Sequence, residues 1–140
     1  MDIVRNWMSS PPITATEDLS LADARALLRA RRVRRLPVVD AQGRLVGIVT
    51  EGDIHSISAS HVTDVQEYSL YHRAGQVPLR EIMRREVITV TPETMVLEVA
   101  RIMVDRKIGG IPVIEDGVVV GIITESDLFR TIIANETRKT

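Results

Sequence analysis

The sequence predicts a mixed α/β (α+β) fold built from two copies of one β-α-β-β-α unit. An eight-residue segment, Gly47–Ile54, returns 74 residues later as Gly121–Leu128 with its strand, threonine and acidic residue in step. A second signature, Pro-Val, occurs at Pro37 and again at Pro112. Around both signatures, short aliphatic strands alternate with helices whose apolar residues recur at spacings of three and four. The whole chain is therefore interpreted as a tandem repeat.

A short lead-in opens the first repeat. Asp2–Met8 is predicted to form a helix, which must end before Pro11 and Pro12 because proline fixes φ and has no N–H. Ile13–Thr16 then predicts a brief extended segment.

The first repeat continues with a helix and a hairpin. Ser20 and Asp23 have the spacing of a capping box, so the helix is predicted to begin after Ser20. Two strands follow, at Leu36–Val39 and Leu45–Val49, and the second leads into a helix with Thr50 as N-cap. The apolar face of the first helix is formed by Leu21, Ala24, Leu27 and Leu28.

The second repeat has the same order of elements. Ile88-Thr89 aligns with Ile13-Thr14, and Asp116-Gly117 predicts a two-residue type I′ hairpin turn. The helix cap is weaker here, because Met95 stands where the first repeat has Ser20. Val96, Val99, Ile102 and Met103 form the apolar face of this helix.

The predicted organisation is a first repeat over residues 1–60, a mobile linker over 61–77, a second repeat over 78–136 and a frayed polar tail over 137–140. The linker contains His61 and His72, and with His55 these histidines lack the spacing of a metal site.

Composition narrows the possible functions. Apolar residues make up 44% and charged residues 26% of the chain, which is typical of a soluble globular protein. A net charge of −1 and 3% aromatic residues argue against nucleic-acid or anionic-membrane binding. The chain has no cysteine, and no apolar run approaches the roughly 20 residues that span a bilayer. We expect a cytoplasmic protein without a metal site and without a catalytic nucleophile.

The repeated Thr-x-x-Asp turn is the strongest candidate site. At a helix N-terminus the first amides lack partners and the dipole is positive, which favours anions. An aspartate there could accept both hydroxyls of a ribose, and the preceding aliphatic strand offers a flat surface to a base. The same spacing is also a capping box, which stabilises a helix without any ligand. Catalysis by Asp53 or Asp127 has little support beside these roles.

The two prolines strengthen the ligand interpretation. Proline cannot donate to a strand ladder, so it is not expected inside a central strand. Pro37 and Pro112 are therefore predicted to place donor-free backbone beside the site.

This constellation, present twice, resembles the cystathionine β-synthase (CBS) domain. The first copy consists of Ile13-Thr14, Arg35–Asp40, Gly43 and Val46–Asp53, and the second of Ile88-Thr89, Ile111–Ile114, Gly117 and Val120–Asp127. The resemblance implies a tandem pair, or Bateman module, whose two units pack with pseudo-twofold symmetry through their small sheets. It further implies clefts between the units for adenosine-containing ligands (AMP, ADP, ATP or S-adenosylmethionine), and a homodimer.

The resemblance also implies roles for individual residues. Asp53 and Asp127 would hold ribose hydroxyls, while Thr50 and Thr124 would contact ribose or phosphate. Thr124 and Asp127 would face Arg34 and Arg35, which makes that cleft the better phosphate site, and the other turn would face Gly109 and Gly110. The adenine slot would be lined by Ile13, Ile48, Ile88 and Ile122.

Two functions remain open from the sequence. The favoured one is a non-catalytic sensor that binds an adenine nucleotide or S-adenosylmethionine and signals to a partner protein or through its dimer state. The alternative is a ligand-independent scaffold whose clefts are vestigial.

Overall fold

The structure, a computed structural model, describes residues 2–59 and 75–139. The chain packs into two compact units. The first unit is Ile13–Val87, and the second unit combines Met1–Pro12 with Ile88–Thr140. These packing units differ from the repeats counted along the sequence, because each unit contains the lead-in segment of the other repeat.

The first unit contains a three-stranded sheet with the order β1-β2-β3. β1 runs parallel to β2, and β2 pairs antiparallel with β3. Leu36, Val38 and Val49 are fully buried between the sheet and its helices. The elements are β1 (Ala15–Thr16), α1 (Leu21–Arg31), β2 (Arg35–Val39), β3 (Leu45–Thr50), α2 (Glu51–Ala59) and a 3-10 turn (Leu79–Glu81).

The second unit contains a 3-10 turn (Val4–Asn6), α3 (Val96–Arg106), β4 (Gly110–Glu115), β5 (Val118–Thr124) and α4 (Glu125–Lys139). β4 and β5 form an antiparallel hairpin. The strand expected near Ile88-Thr89 is reduced to one parallel bridge between Val90 and Val113. Pro92, which stands where the first repeat has Glu17, has no N–H with which to extend that ladder.

The lead-in segments are exchanged between the repeats. The predicted helix over Asp2–Met8 is only a 3-10 turn at Val4–Asn6. Its Val4 is fully buried in the core of the second unit, and the matching Leu79 is fully buried in the core of the first unit. The lead-in is too short for its pattern of apolar residues to define a helix. Nor can that pattern show which of the two cores the lead-in joins.

Two glycines allow this exchange. A Cβ on Gly47 would lie 2.6 Å from Met83 Sδ and 3.0 Å from the Arg84 carbonyl oxygen. A Cβ on Gly121 would lie 2.7 Å from Met8 Sδ and 2.9 Å from the Ser9 carbonyl oxygen. The glycine of each repeated segment is therefore required by the lead-in of the other repeat.

The predicted helix caps and hairpin turn are confirmed. The Ser20 hydroxyl accepts from Asp23 N at 3.1 Å, whereas Met95 makes no side-chain cap bond. Asp116 and Gly117 have φ of 53° and 80°, as a type I′ turn requires.

The C-terminal helix is longer than the sequence predicts. The tail expected to fray over 137–140 stays helical to Lys139. The Asn135 amide donates to Asp2 Oδ2 at 2.9 Å, and the Thr137 hydroxyl donates to the Ile133 carbonyl at 2.7 Å. Hydrogen bonds from Asn135 and from Trp7 lower the pKa of the Asp2 carboxyl. Most of the predicted linker, including His61 and His72, lies outside the described residues.

Candidate functional site

The first Thr-x-x-Asp turn lies where β3 passes into α2. Thr50 N donates to Asp53 Oδ2 at 3.1 Å, and Asp53 N donates to Thr50 Oγ1 at 3.1 Å. This is a reciprocal capping box, so the structural role weighed from the sequence is present. It uses only one of the two oxygens of the carboxylate.

The second turn, between β5 and α4, has a related geometry. Thr124 N donates to Asp127 Oδ2 at 2.9 Å, and the Thr124 hydroxyl donates to the same oxygen at 3.2 Å. The Asp127 side chain is only 4% exposed. Here too, the cap leaves Oδ1 available for another partner.

In each turn, that other partner is an arginine. Arg84 Nη2 donates to Asp53 Oδ1 at 2.8 Å, and Arg130 Nη1 donates to Asp127 Oδ1 at 2.8 Å. We call Arg84 and Arg130 the cap arginines. Their side chains are 71% and 64% exposed, whereas the carboxylates that they pair with are 13% and 4% exposed.

Sequence reasoning missed the cap arginines. The three-residue spacing from Asp127 to Arg130 was a usable signal, because such pairs are neighbours on a helix. Arg84 lies 31 residues from Asp53, and no local pattern connects them. Only the unexpected packing of the lead-in brings Arg84 to the turn.

The isoleucines predicted to line a base are held by the same lead-ins. Ile48 and Arg84 exchange backbone hydrogen bonds of 2.9 and 3.0 Å. Ile122 and Ser9 exchange bonds of 2.9 and 3.1 Å. Each unit therefore places its candidate base residue two positions before the threonine of its turn and holds both its N–H and its carbonyl through the lead-in.

Pro37 and Pro112 differ in one respect from the expectation. Pro37 lies inside β2, the central strand, and both prolines are fully buried. Proline is tolerated at both positions because the parallel hydrogen-bond ladder with the preceding segment ends beside each proline. Val90 N donates to the Pro112 carbonyl at 3.2 Å, but Pro112 has no N–H to extend the ladder toward Ile88. In the first unit, Ile13 likewise precedes β1.

The residues before the prolines lie beside the turn of their own unit. Arg35 is paired with Thr50 across β2 and β3, and the Arg34 carbonyl accepts from Glu51 N at 2.7 Å. Gly110 is paired with Thr124 in the same way. The expectation that Arg34 and Arg35 face Asp127 joins residues of different units and stays a prediction.

The family model for the CBS domain matches residues 4–60 and again residues 79–134. The chain belongs to the CBS-domain family. The predicted recognition and the mixed α/β fold of two CBS repeats are thereby confirmed. None of the described helices has the length and apolar character needed to cross a membrane.

Three similar proteins place this CBS pair in context. L-aspartate semialdehyde sulfurtransferase of Methanocaldococcus jannaschii is 36% identical over 129 residues, which are 91% of this chain but 23% of that protein. A CBS domain-containing protein of Dictyostelium discoideum is 30% identical, covering 94% of this chain and 91% of that one. The solved CBS domain pair of protein MJ0100, in complex with 5′-methylthioadenosine and S-adenosyl-L-methionine, is 34% identical with a TM-score of 0.81, covering 96% and 98% of the two chains.

Because this chain spans about a quarter of the sulfurtransferase, the likeness to that enzyme concerns a CBS pair within a larger protein. The adenosine-containing ligands named above are those of the solved pair of protein MJ0100.

Proposed function

We propose that the chain is a non-catalytic regulatory module that binds an adenosine-containing ligand at its Thr-x-x-Asp turns. The observation that carries the proposal is the duplicated turn in which the helix cap uses only Oδ2 of the aspartate. Oδ1 is held by an exposed arginine, so a ribose hydroxyl can reach it without breaking the cap. The ligands of the solved pair of protein MJ0100 support an adenosyl group as the common element.

The proposed roles of individual residues are those that the family resemblance implies. Asp53 and Asp127 accept the ribose hydroxyls, and Thr50 and Thr124 contact ribose or phosphate. The base lies against Ile13, Ile48, Ile88 and Ile122, beside the backbone of Pro37, Gly110 and Pro112. Arg34 and Arg35 supply positive charge for a phosphate.

Thermal unfolding of the full chain tests the proposal. AMP, ADP, ATP, S-adenosylmethionine and NADH are added separately, and a ligand at 100 times its Kd should stabilise by about 2.7 kcal/mol. The corresponding rise in Tm is on the order of 5–10 °C. The effect should be lost in the double variant Asp53→Asn and Asp127→Asn, because asparagine can still accept the cap bond but lacks a second acceptor oxygen.

Asp23→Asn is the matched control. Asp23 lies three residues after the N-cap Ser20, as Asp53 and Asp127 do after their threonines, but it belongs to no Thr-x-x-Asp turn. Its substitution should therefore leave the ligand-induced rise unchanged. If no ligand raises the Tm of the wild type, the sensor function is wrong and the ligand-independent scaffold becomes the better interpretation.

The second part of the proposal is a homodimer formed through the second unit. Phe129, Ile132 and Ile133 are 58–65% exposed on α4, whereas Leu128 and Thr131 of the same helix are buried. On α3, Leu97 and Val104 are also exposed. The first repeat has Ala22, Arg29 and His55 at the positions of Leu97, Val104 and Phe129.

An apolar face of this kind is self-complementary under a twofold axis, which favours a second copy of the chain as its occupant. Sedimentation of wild type should show a dimer, and the double variant Phe129→Ser and Ile133→Ser should be a monomer. A wild type that stays monomeric at high concentration would contradict this part of the proposal.

Signalling requires that the ligand bind two arrangements of the protein with different affinity. We place this module in the cytoplasm, where a partner protein responds to the arrangement that the ligand favours.

A further inference from the structure

The cap arginines come from different elements of the two repeats. Arg84 lies in a lead-in segment, where the other repeat has Ser9. Arg130 lies on α4, where α2 has Ser56. A simple duplication would have placed both arginines at the same position of the repeat. The two turns instead reach the same pairing by separate routes, which indicates that an arginine beside the carboxylate has a use in each unit.

The arginine of each pair can be replaced at Oδ1 by another hydrogen-bond donor. A single N–H from each arginine contacts one carboxylate oxygen, and both guanidinium groups are mostly exposed to water. Only the guanidinium of each pair is exposed, and the carboxylate is mostly buried, so Oδ1 needs a new hydrogen-bond donor whenever the arginine leaves. A ribose hydroxyl can replace the arginine because it is itself a donor and keeps Oδ1 hydrogen-bonded.

The backbones of both arginines are nevertheless fixed. Arg84 is held by two backbone hydrogen bonds to Ile48, the candidate base residue. Arg130 lies within the first turns of α4, where the Thr131 hydroxyl donates to the Asp127 carbonyl at 3.0 Å. A guanidinium displaced from Oδ1 therefore stays beside the bound sugar and does not leave the site.

We propose that Arg84 and Arg130 exchange the carboxylate for the phosphate of a bound nucleotide, and that they select nucleoside phosphates over neutral or cationic adenosyl ligands. This inference rests on the proposed function. In the ligand-free protein each arginine neutralises its aspartate. When ribose hydroxyls take over Oδ1, the guanidinium pairs with the phosphate carried by the same sugar, for which its planar fork of donors is suited. A sulfonium cation, as in S-adenosylmethionine, meets repulsion from the same group.

Isothermal titration calorimetry of the full chain tests this inference with AMP, adenosine and S-adenosylmethionine. Wild type should bind AMP more tightly than adenosine. In the double variant Arg84→Met and Arg130→Met, AMP affinity should fall by about tenfold or more, the size expected for a charge-assisted hydrogen bond. Adenosine affinity should stay the same or rise, because Oδ1 is no longer occupied, and S-adenosylmethionine should gain relative to AMP.

Two further variants make the test specific. Arg84→Lys and Arg130→Lys together should recover part of the preference for AMP, because the positive charge remains. Arg85→Met is the matched control for Arg84, since Arg85 is the next residue and is also exposed. It should leave all three affinities unchanged. Melting of each variant without ligand verifies that it folds.

The outcomes separate this inference from the proposed function. If wild type binds AMP and adenosine equally, or if the methionine variants lose both ligands by the same factor, the arginines only neutralise the caps and the inference is wrong while the function stands. If wild type binds none of the three ligands, the inference is wrong, and the proposed function is overturned as well when ADP, ATP and NADH also leave the Tm unchanged.

Discussion

Replacing Gly121 with alanine tests the exchange of the lead-in segments. The new Cβ would lie 2.7 Å from Met8 Sδ and 2.9 Å from the Ser9 carbonyl oxygen. The methionine side chain can rotate away, but the Ser9 carbonyl is fixed by its 3.1 Å bond from Ile122 N. Overpacking costs about 1–3 kcal/mol, and loss of glycine freedom in the unfolded chain offsets about 0.4–1 kcal/mol. The net destabilisation should be about 1–2 kcal/mol.

Urea unfolding measures this change, and Gly52→Ala is the matched control. The nearest atom to a Cβ on Gly52 is Thr50 Oγ1 at 3.7 Å, so alanine fits without a clash. In the first turn of α2 it should stabilise the chain by about 0.4–1 kcal/mol.

A double-mutant cycle with Met8→Ala decides whether the lead-in causes the effect. Truncating Met8 should relieve part of the clash in Gly121→Ala, with a coupling of about 0.5 kcal/mol or more. If Gly121→Ala is as stable as wild type, Met8 and Ser9 do not lie against Gly121 and the exchange is wrong. If the two changes simply add, the destabilisation comes from the Ser9 carbonyl alone.

Two further predictions concern the caps and the chain ends. Thr50→Ala should destabilise by about 1 kcal/mol, because it removes the acceptor for Asp53 N, and Thr50→Ser should retain most of that stability in the same urea assay. Asn135→Ala should raise the pKa of Asp2, because it removes the largest cause of the lowered value. An NMR titration of Asp2 in the variant should therefore give a pKa closer to the ordinary value of an aspartate. In the wild type, the lowered pKa stabilises the folded state at neutral pH, and this stabilisation is lost as the pH falls through the folded-state pKa. An unchanged titration would contradict the Asn135 contact.

The features that the sequence predicted correctly are those encoded by neighbouring residues. Asp116-Gly117 specifies its turn through two residues that accept positive φ. Ser20 and Thr50 cap helices through partners three residues away. These interactions depend on local spacing alone, so a repeat that preserves the spacing preserves the structure.

The features that were missed depend on distant residues. Val4 and Leu79 occupy the same position in the two lead-ins. The apolar residues around them do not indicate which core buries each side chain. Arg84 reaches Asp53 only because its lead-in joins the other hairpin. The helical end of α4 depends on contact between Asn135 and Asp2, near opposite ends of the sequence. Such contacts follow from the assembled fold and not from periodicity.

The exchanged lead-ins impose an order on folding during synthesis. Ile13–Val87 is continuous, so the first unit can complete its core as soon as Met83 has left the ribosome. The second unit cannot, because Val4 is made early and its partners, from Val90 to Leu128, are made last. Met1–Pro12 must therefore wait, with its apolar side chains uncovered, until the rest of its unit is synthesised.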